Sequence, residues 1–420
     1  MQNRRVVVTG LGALTPIGNT VDEFWSSLTE GKSGAGAITH FDASKFKTQF
    51  ACEVKNFKPA EVLGDRRLER RTDKFVQYAL AASDEAIRDA GLDKVSEEVK
   101  EDIGILWSSG IGGLESLYQE IDKFEKGDGT PRFSPLLVPK MIVDAAAGNI
   151  SIRHGFKGIT AAVVTACAST THAASMAFDL IRIGRADVIL VGGSEASINQ
   201  VGVGSFSALK ALSKRNDEPT KASRPYDQDR DGFVLGEGAG AIVLEEYEHA
   251  KARGATIYAE LVGTAITSDS YHITAPDPEG AGAAKVMQKA LDCAGLTTKD
   301  IDYINTHGTS TPLGDVMEIV AIEKVFGEDA YDLNISSTKS MTGHLLGAAG
   351  AIESIICVKS ICENIVPPTI NHEQTDEAIN PKLNLTPNNA QKRTVRAALS
   401  NSFGFGGHNS TVIFKKLEEN

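Results

Sequence analysis

Cys167 lies in VVTACASTTHAASMAF, where a β-branched run ends at Thr165 and an alanine- and serine-rich helix is expected just beyond the cysteine. A thiol at a helix start faces the positive end of the helix dipole, which lowers its pKa and favours the nucleophilic thiolate. Ala166, Ala168 and Ser169 are small enough for a sharp strand-to-helix turn and leave room for a substrate carbonyl. The Cys167 amide is an unpaired helix-start donor, placed to receive an oxyanion. The chemistry this implies is acyl transfer through a thioester. A small buried structural cysteine fits the same neighbours, so this segment alone leaves both readings open.

Two further segments carry groups able to move protons or hold negative charge. His307 ends a strand in YINTHGTSTPLGDVME, before a loop dense in hydroxyls and turn residues. His344, in SSTKSMTGHLLGAAG, is expected to open a helix whose first turns contain Gly347, Ala348, Ala349 and Gly350, with Lys339 on the preceding turn. A helix start biases an imidazole toward its neutral form. The other seven histidines lack such a setting; His172 in the nucleophile helix and His408 in a glycine loop read as structural. The loop NSFGFGGHN (401–409) carries Gly404, Gly406 and Gly407 beside Phe403 and Phe405, which permits a second amide to face the carbonyl and a hinge to swing an aromatic ring. No H-E-x-x-H, paired C-x-x-C or phosphate loop occurs, and GIGG at 110–113 is too short for a dinucleotide fingerprint.

These residues need elements to position them, and the pattern is α/β. Strands are predicted at Arg5–Thr9, Ile103–Trp107, Ala161–Ala166, Asp187–Val191 and within Leu235–Glu245. A helix from Thr72 has Phe75, Ala79, Ala82, Ala86 and Ala90 on one face and ends at Gly91. The order then repeats: AIRDAGL in the first half answers ALDCAGL in the second, which closes a helix over Gly282–Leu296 before a strand at Asp302–Asn305. GEGAGAIVLEE likewise answers GFGGHNSTVIFKK. The reading is a duplication, with one half over 1–254, an insertion near 114–149, and a second half over 255–420. Strand ends of a doubled α/β unit converge on one crevice, so Cys167, His307 and His344 are expected to meet.

Composition excludes several classes. The formal charge is −12, from 43 basic and 55 acidic side chains, which disfavours bulk nucleic-acid binding. The run Arg66, Arg67, Arg70, Arg71 and Lys74 stands out in this acidic chain. Five cysteines without framework spacing suit a reducing cytosol, and no stretch provides the ~20 apolar residues of a membrane helix. The N-terminal apolar run is cut at once by glycine, unlike a signal peptide.

Taken in order, VVVTGLGALTPIG, TACAS, SRPYDQDRDGFVLGEGAG, NTHGTSTPLGD, TKSMTGHLLGAAG and SFGFGGHNS resemble the beta-ketoacyl-acyl-carrier-protein synthases, nearest the type II elongating enzymes of bacterial fatty-acid synthesis, almost end to end. The resemblance implies a thiolase fold, two α/β/α halves in a five-layered α-β-α-β-α core. It implies decarboxylative condensation of malonyl-acyl carrier protein with an acyl chain on Cys167. His307 and His344 would bind the malonyl thioester, Lys339 would belong to their network, and Glu318 would be the carboxylate buried behind it. Thr309 and Thr311 would contact the phosphopantetheine arm. The Cys167 and Phe405 amides would form the oxyanion hole, with Phe405 also the gate, and Phe403 and Ile111 would line the substrate path. Arg67, Arg70, Arg71 and Lys210 would dock the acidic carrier. The protein would need no resident cofactor or metal, since phosphopantetheine arrives on the carrier, and would be a cytoplasmic homodimer bound to neither nucleic acid nor membrane. Thr306 departs from the small residue common in relatives.

Other readings share parts of this set. A degradative thiolase requires a second cysteine in the last glycine loop, and NSFGFGGHN has none. Initiating synthases use Cys–His–Asn, whereas TGHLLG supplies histidine. A polyketide-type ketosynthase shares every active-site residue. A non-catalytic chain-length partner would have lost the nucleophile retained here.

Overall fold

A computed structural model describes residues 4–418. Ten strands form one mixed sheet: β1 (Val6–Leu14), β2 (Gly104–Ser108), β3 (Thr160–Val163), β4 (Val188–Glu195), β5 (Gly238–Glu246), β6 (Ala259–Ser268), β7 (Tyr303–Asn305), β8 (Asn334–Ser336), β9 (Ala397–Gly404) and β10 (His408–Lys415). Their spatial order is β3-β2-β4-β5-β1-β6-β10-β9-β7-β8. The first five and the last five strands have the same internal order. In each set the three outermost strands run parallel and the two inner pairings are antiparallel. The sets meet where β1 pairs antiparallel with β6 over only three residue pairs, Val6–Leu261 to Val8–Ala259.

The repetition extends to packing detail. Helix α1 (Lys74–Asp89) covers β1, and α3 (Ala281–Ala294) covers β6. A side-chain carbon at Gly10 of β1 would lie 2.4 Å from the Ala86 carbonyl oxygen, and one at Gly263 of β6 would lie 2.4 Å from that of Ala290. Both strands carry a bulge beside this glycine. Glycine is used because helix and strand backbones approach too closely for any side chain.

Between the two sets lie α2 (Ser169–Arg182) and α5 (Ala349–Glu363), which touch each other and strands of both sets. Helix α5 is buried nearly all round, as a helix in a middle layer must be. Its Ile352, Ile355 and Ile356 share one core with Ala173, Ala177 and Ile181 of α2. Separate cores lie under α1 and under α3 with α4 (Pro312–Phe326). The layers therefore run α-β-α-β-α, as expected.

Local boundaries differ from the sequence reading where tertiary contacts intervene. The third strand stops at Val163 rather than Ala166, because Ala166 turns into left-handed backbone (φ 51°). His344 does not open a helix. The His344 amide donates to the Val234 carbonyl (2.8 Å) and the His344 carbonyl accepts from Gly236 N–H (2.9 Å). A short helix (Lys339–Thr342) precedes it, and α5 begins only at Ala349. The 114–149 segment holds helices at Leu114–Glu125 and Leu137–Met141 and the start of one at Ala145–His154.

Candidate active site

The nucleophile segment folds as its small residues require. Ser169 Oγ accepts from Thr165 N–H (2.8 Å) and donates to the Ala166 carbonyl (2.6 Å), pinning the left-handed turn at Ala166. Helix α2 starts at Ser169, so Cys167 sits just ahead of it. The Cys167 amide donates to no main-chain group among the described residues. The helix-start argument predicts a lowered thiol pKa, and the structure reverses it. Burial pushes the Cys167 thiol up to about 12; the Lys339 charge and a hydrogen bond from Phe405 N–H oppose that rise, and the Glu195 charge adds to it. The sulfur borders a cavity yet is enclosed by protein, so water solvates a thiolate poorly there.

That cavity, of about 490 Å³, is lined by Cys167 from the first strand set and by His307, His344, Phe403 and Phe405 from the second. The His307 and His344 rings stand edge to face at 5.3 Å between centroids, and His307 is 5.7 Å from the Phe403 ring. Burial, and then the Lys339 charge, hold both imidazoles well below the usual histidine range, so both are neutral. The cause is therefore not the helix start invoked for His344. Each Nδ1 is buried without a hydrogen-bond partner.

Lys339 and Glu318 lie behind the cavity wall rather than in it. Lys339 Nζ is paired with Glu353 on α5, both side chains being almost fully buried. The carboxylate behind the lysine is thus Glu353, not Glu318. Glu318 instead accepts from the amides of His307 (2.9 Å) and Gly308 (2.8 Å), and from Asn401 Nδ2 (3.2 Å). Burial raises its pKa to about 7 against those hydrogen bonds. It therefore sets the His307 backbone and feels the Lys339 charge without pairing with it.

A third carboxylate escaped the sequence reading. Glu195, at the end of β4, accepts from Ser109 Oγ (2.8 Å) and from the amides of Gly110 (2.7 Å), Ile111 (3.2 Å) and Gly347 (3.0 Å). It ties the GIGG turn to the segment just after His344. The available signals were an acid closing the apolar strand VILVGGSE and, for Glu353, an acid inside the apolar helix AGAIESIICV.

The remaining candidates fall in several places. Thr309 and Thr311 line the cavity, their hydroxyls 3.1 Å apart. Ile111 does not line it but packs in the apolar cluster that also contains Cys167 and Phe206. Lys210 is exposed between two lining residues, Leu209 and Ala211. Arg70 and Arg71 are exposed on the short helix Arg66–Arg71, whereas Arg67 is turned back onto Asp65, which caps that helix.

With this geometry in hand, comparison with known proteins gives consistent matches. Residues 3–250 match the beta-ketoacyl synthase N-terminal domain, and residues 258–373 match the C-terminal domain. The chain is 49% identical to the 3-oxoacyl-(acyl-carrier-protein) synthase 2 of Vibrio cholerae serotype O1 over 423 aligned positions, covering 99% of this chain and 100% of that protein. A beta-ketoacyl synthase from Burkholderia phymatum superposes with a TM-score of 0.90 at 36% identity, covering 99% of this chain and all of the other. A type II PKS ketosynthase solved with its acyl-carrier protein and bound to a hexaketide superposes at 0.89 with 35% identity, over 99% and 100% of the two chains.

Proposed function

The chain belongs to the beta-ketoacyl synthase family, and from that premise we propose a complete elongation cycle for its residues. The protein condenses malonyl-acyl carrier protein with an acyl chain held on Cys167, giving beta-ketoacyl-acyl carrier protein in fatty-acid elongation. One observation supports this most: a single cavity joins the Cys167 thiol to two neutral, buried imidazoles contributed by the other strand set. The relatives near half identity over their full length are named 3-oxoacyl-(acyl-carrier-protein) synthase 2, whereas the polyketide ketosynthase is matched at 35%, which favours fatty-acid elongation over polyketide assembly.

In the first half-reaction the Cys167 sulfur adds to the acyl carrier's thioester. The pantetheine thiol leaves with the proton the cysteine gives up, and the acyl group stays on sulfur. The amides of Cys167 and Phe405 face the tetrahedral oxygen. The carrier departs and its malonyl form enters. The bond from the malonyl α-carbon to its carboxylate then breaks, CO₂ leaves, and the electron pair remains as a thioester enolate. Imidazole N–H groups of His307 and His344, protonated at Nε2, hold the enolate oxygen. Being neutral, they bind the developing charge without first binding the malonyl carboxylate as an ion pair. The enolate carbon attacks the acyl-cysteine carbonyl, a carbon–carbon bond forms, and the cysteine sulfur is released to regain its proton. Phosphopantetheine reaches the site on the carrier, so the cycle calls on no resident cofactor.

The exposed Arg67, Arg70 and Arg71, with Lys210 beside the cavity mouth, form the surface on which an acidic carrier docks. The protein acts as a homodimer. Supporting this, β3 is an outermost strand whose residues Thr160 and Ala161 are exposed, with Ile159, Val164, Met176 and Ile183 also exposed nearby in sequence. Its five cysteines are all free, which suits the reducing cytoplasm. Among the described residues no helix is long and apolar enough to cross a membrane.

The test is intact mass spectrometry after incubation with acyl carriers of graded chain length. The expected result is one added acyl mass per chain, lost on adding malonyl carrier as the beta-ketoacyl product appears. Absence of any adduct, or an adduct that survives Cys167→Ala, would remove the covalent scheme.

A further inference from the structure

Beside the cavity, the segment from Arg224 to Gly232 is fastened along Ser310–Asp315. Arg224 N–H donates to Ser310 Oγ (3.0 Å), Gly232 N–H to the Ser310 carbonyl (3.1 Å), and Tyr226 N–H to Asp315 Oδ2 (3.0 Å). One side chain dominates this seam. The Arg230 side chain is 2% exposed. Its Nε donates to the Thr311 carbonyl (3.0 Å) and its Nη2 to the Pro312 carbonyl (2.7 Å). Its Nη1 donates to the Asp227 carbonyl (2.8 Å) and to the Asp376 carboxylate (2.6 Å). The guanidinium therefore grips the main chain of the threonine loop from behind while anchored to an acid outside it.

The loop needs such a grip. Ser310, between Thr309 and Thr311, has left-handed backbone (φ 68°), which a serine adopts at a cost unless its surroundings enforce it. The two threonine hydroxyls that face the cavity sit on either side of that residue. We propose that Arg230 is a positioning residue for recognition of the substrate's pantetheine arm, fixing the Thr309 and Thr311 hydroxyls without touching substrate. The inference rests on the reading that those threonines contact the arm. Lysine cannot replace the planar fork, because a single ammonium cannot reach carbonyls on one side and a carboxylate on the other in fixed directions.

The experiment compares kcat/KM for an acyl thioester carried on the full carrier-bound arm with that for a truncated N-acetylcysteamine thioester. The proteins compared are wild type, Arg230→Lys and the double variant Thr309→Ala/Thr311→Ala. In Arg230→Lys the preference for the full arm is expected to fall about tenfold, mainly through KM, as expected for misplaced binding groups. Activity on the truncated thioester is expected to stay within about twofold of wild type, because the lost contacts are made only to the arm. Equal losses on both substrates, or an unchanged preference, would overturn the proposal while the threonine variant still lost its preference. If the threonine variant keeps its preference, the arm-contact reading itself fails. Should Arg230→Lys not fold, Asp376→Asn removes the guanidinium's outer anchor at a partly exposed site. It must show the same arm-selective loss, and a preference equal to wild type would overturn the proposal.

Discussion

Gly404 and Cys167 meet across the boundary between the two strand sets: a side-chain carbon on Gly404 would lie 3.1 Å from the Cys167 amide nitrogen and 2.8 Å from the Thr165 carbonyl oxygen. The glycine loop is thus packed directly against the nucleophile's turn. Gly404→Ala is expected to push that turn aside. Rates of acyl-enzyme formation should fall on the order of a hundredfold, the effect of a displacement near 1 Å at a reacting centre. Overpacking should cost only about 1–3 kcal/mol of stability. Acylation followed by mass spectrometry, with a melting curve alongside, separates the two; unchanged acylation would show that the turn yields freely.

The Lys339–Glu353 pair predicts a characteristic double-mutant result. Lys339→Met leaves a buried carboxylate without its cation and should destabilise the fold by about 3–5 kcal/mol. Adding Glu353→Leu should recover most of that loss, because the pair is replaced by apolar groups. Denaturant unfolding of the four proteins provides the cycle. Additive losses would mean that the two residues act independently.

Alkylation reports the state of Cys167. With the thiol pushed up to about 12, the thiolate fraction is far below one at neutral pH and should rise tenfold with each pH unit. The iodoacetamide rate at Cys167 is therefore expected to climb without a plateau from pH 6 to pH 9. A plateau in that window would restore the lowered thiol pKa that the helix start alone predicts.

Acid stability should depend on Glu245. Although burial pushes its pKa up, hydrogen bonds from Arg253, His249 and Thr9 outweigh this and hold it at about 2. A carboxyl depressed from 4.5 stabilises the fold fully above the unfolded value and loses that contribution as pH falls through the folded one. The shift corresponds to roughly 3 kcal/mol. Glu245→Gln should therefore be less stable than wild type at pH 7, with the gap closing between pH 4.5 and pH 2. A constant gap across that range would refute the assignment.

Much of the chemistry was legible in the chain because it is carried by local patterns. Cys167 is flanked by small residues that must turn sharply, and His307 ends a strand, so each announces its place within about ten residues. The helix expected at His344 was misplaced for a tertiary reason. HLLGAAG has good helical composition, but its first amide is committed to Val234, more than a hundred residues earlier. Glu195 and Arg230 were missed because their partners lie in distant segments that only the fold brings together, and Glu353 because its pairing with Lys339, 14 residues earlier, crosses a turn that helical periodicity does not describe. Glu353 and Glu195 could have been flagged as acids among apolar neighbours, though not paired. Arg230, in a segment crowded with charges, left no comparable sign.

The two strand sets repeat one another down to the glycines under α1 and α3, yet the cavity draws its sulfur from one and its imidazoles from the other. Two halves alike in strand order and packing are therefore unequal in chemistry, each supplying what the other lacks. A symmetric pair of either half would hold two thiols or two sets of imidazoles, never the combination. The three-rung join between Val6–Val8 and Ala259–Leu261 and the core shared by α2 and α5 together hold sulfur and imidazoles in one cavity, so the contact between unlike halves is a condition for turnover as much as for folding.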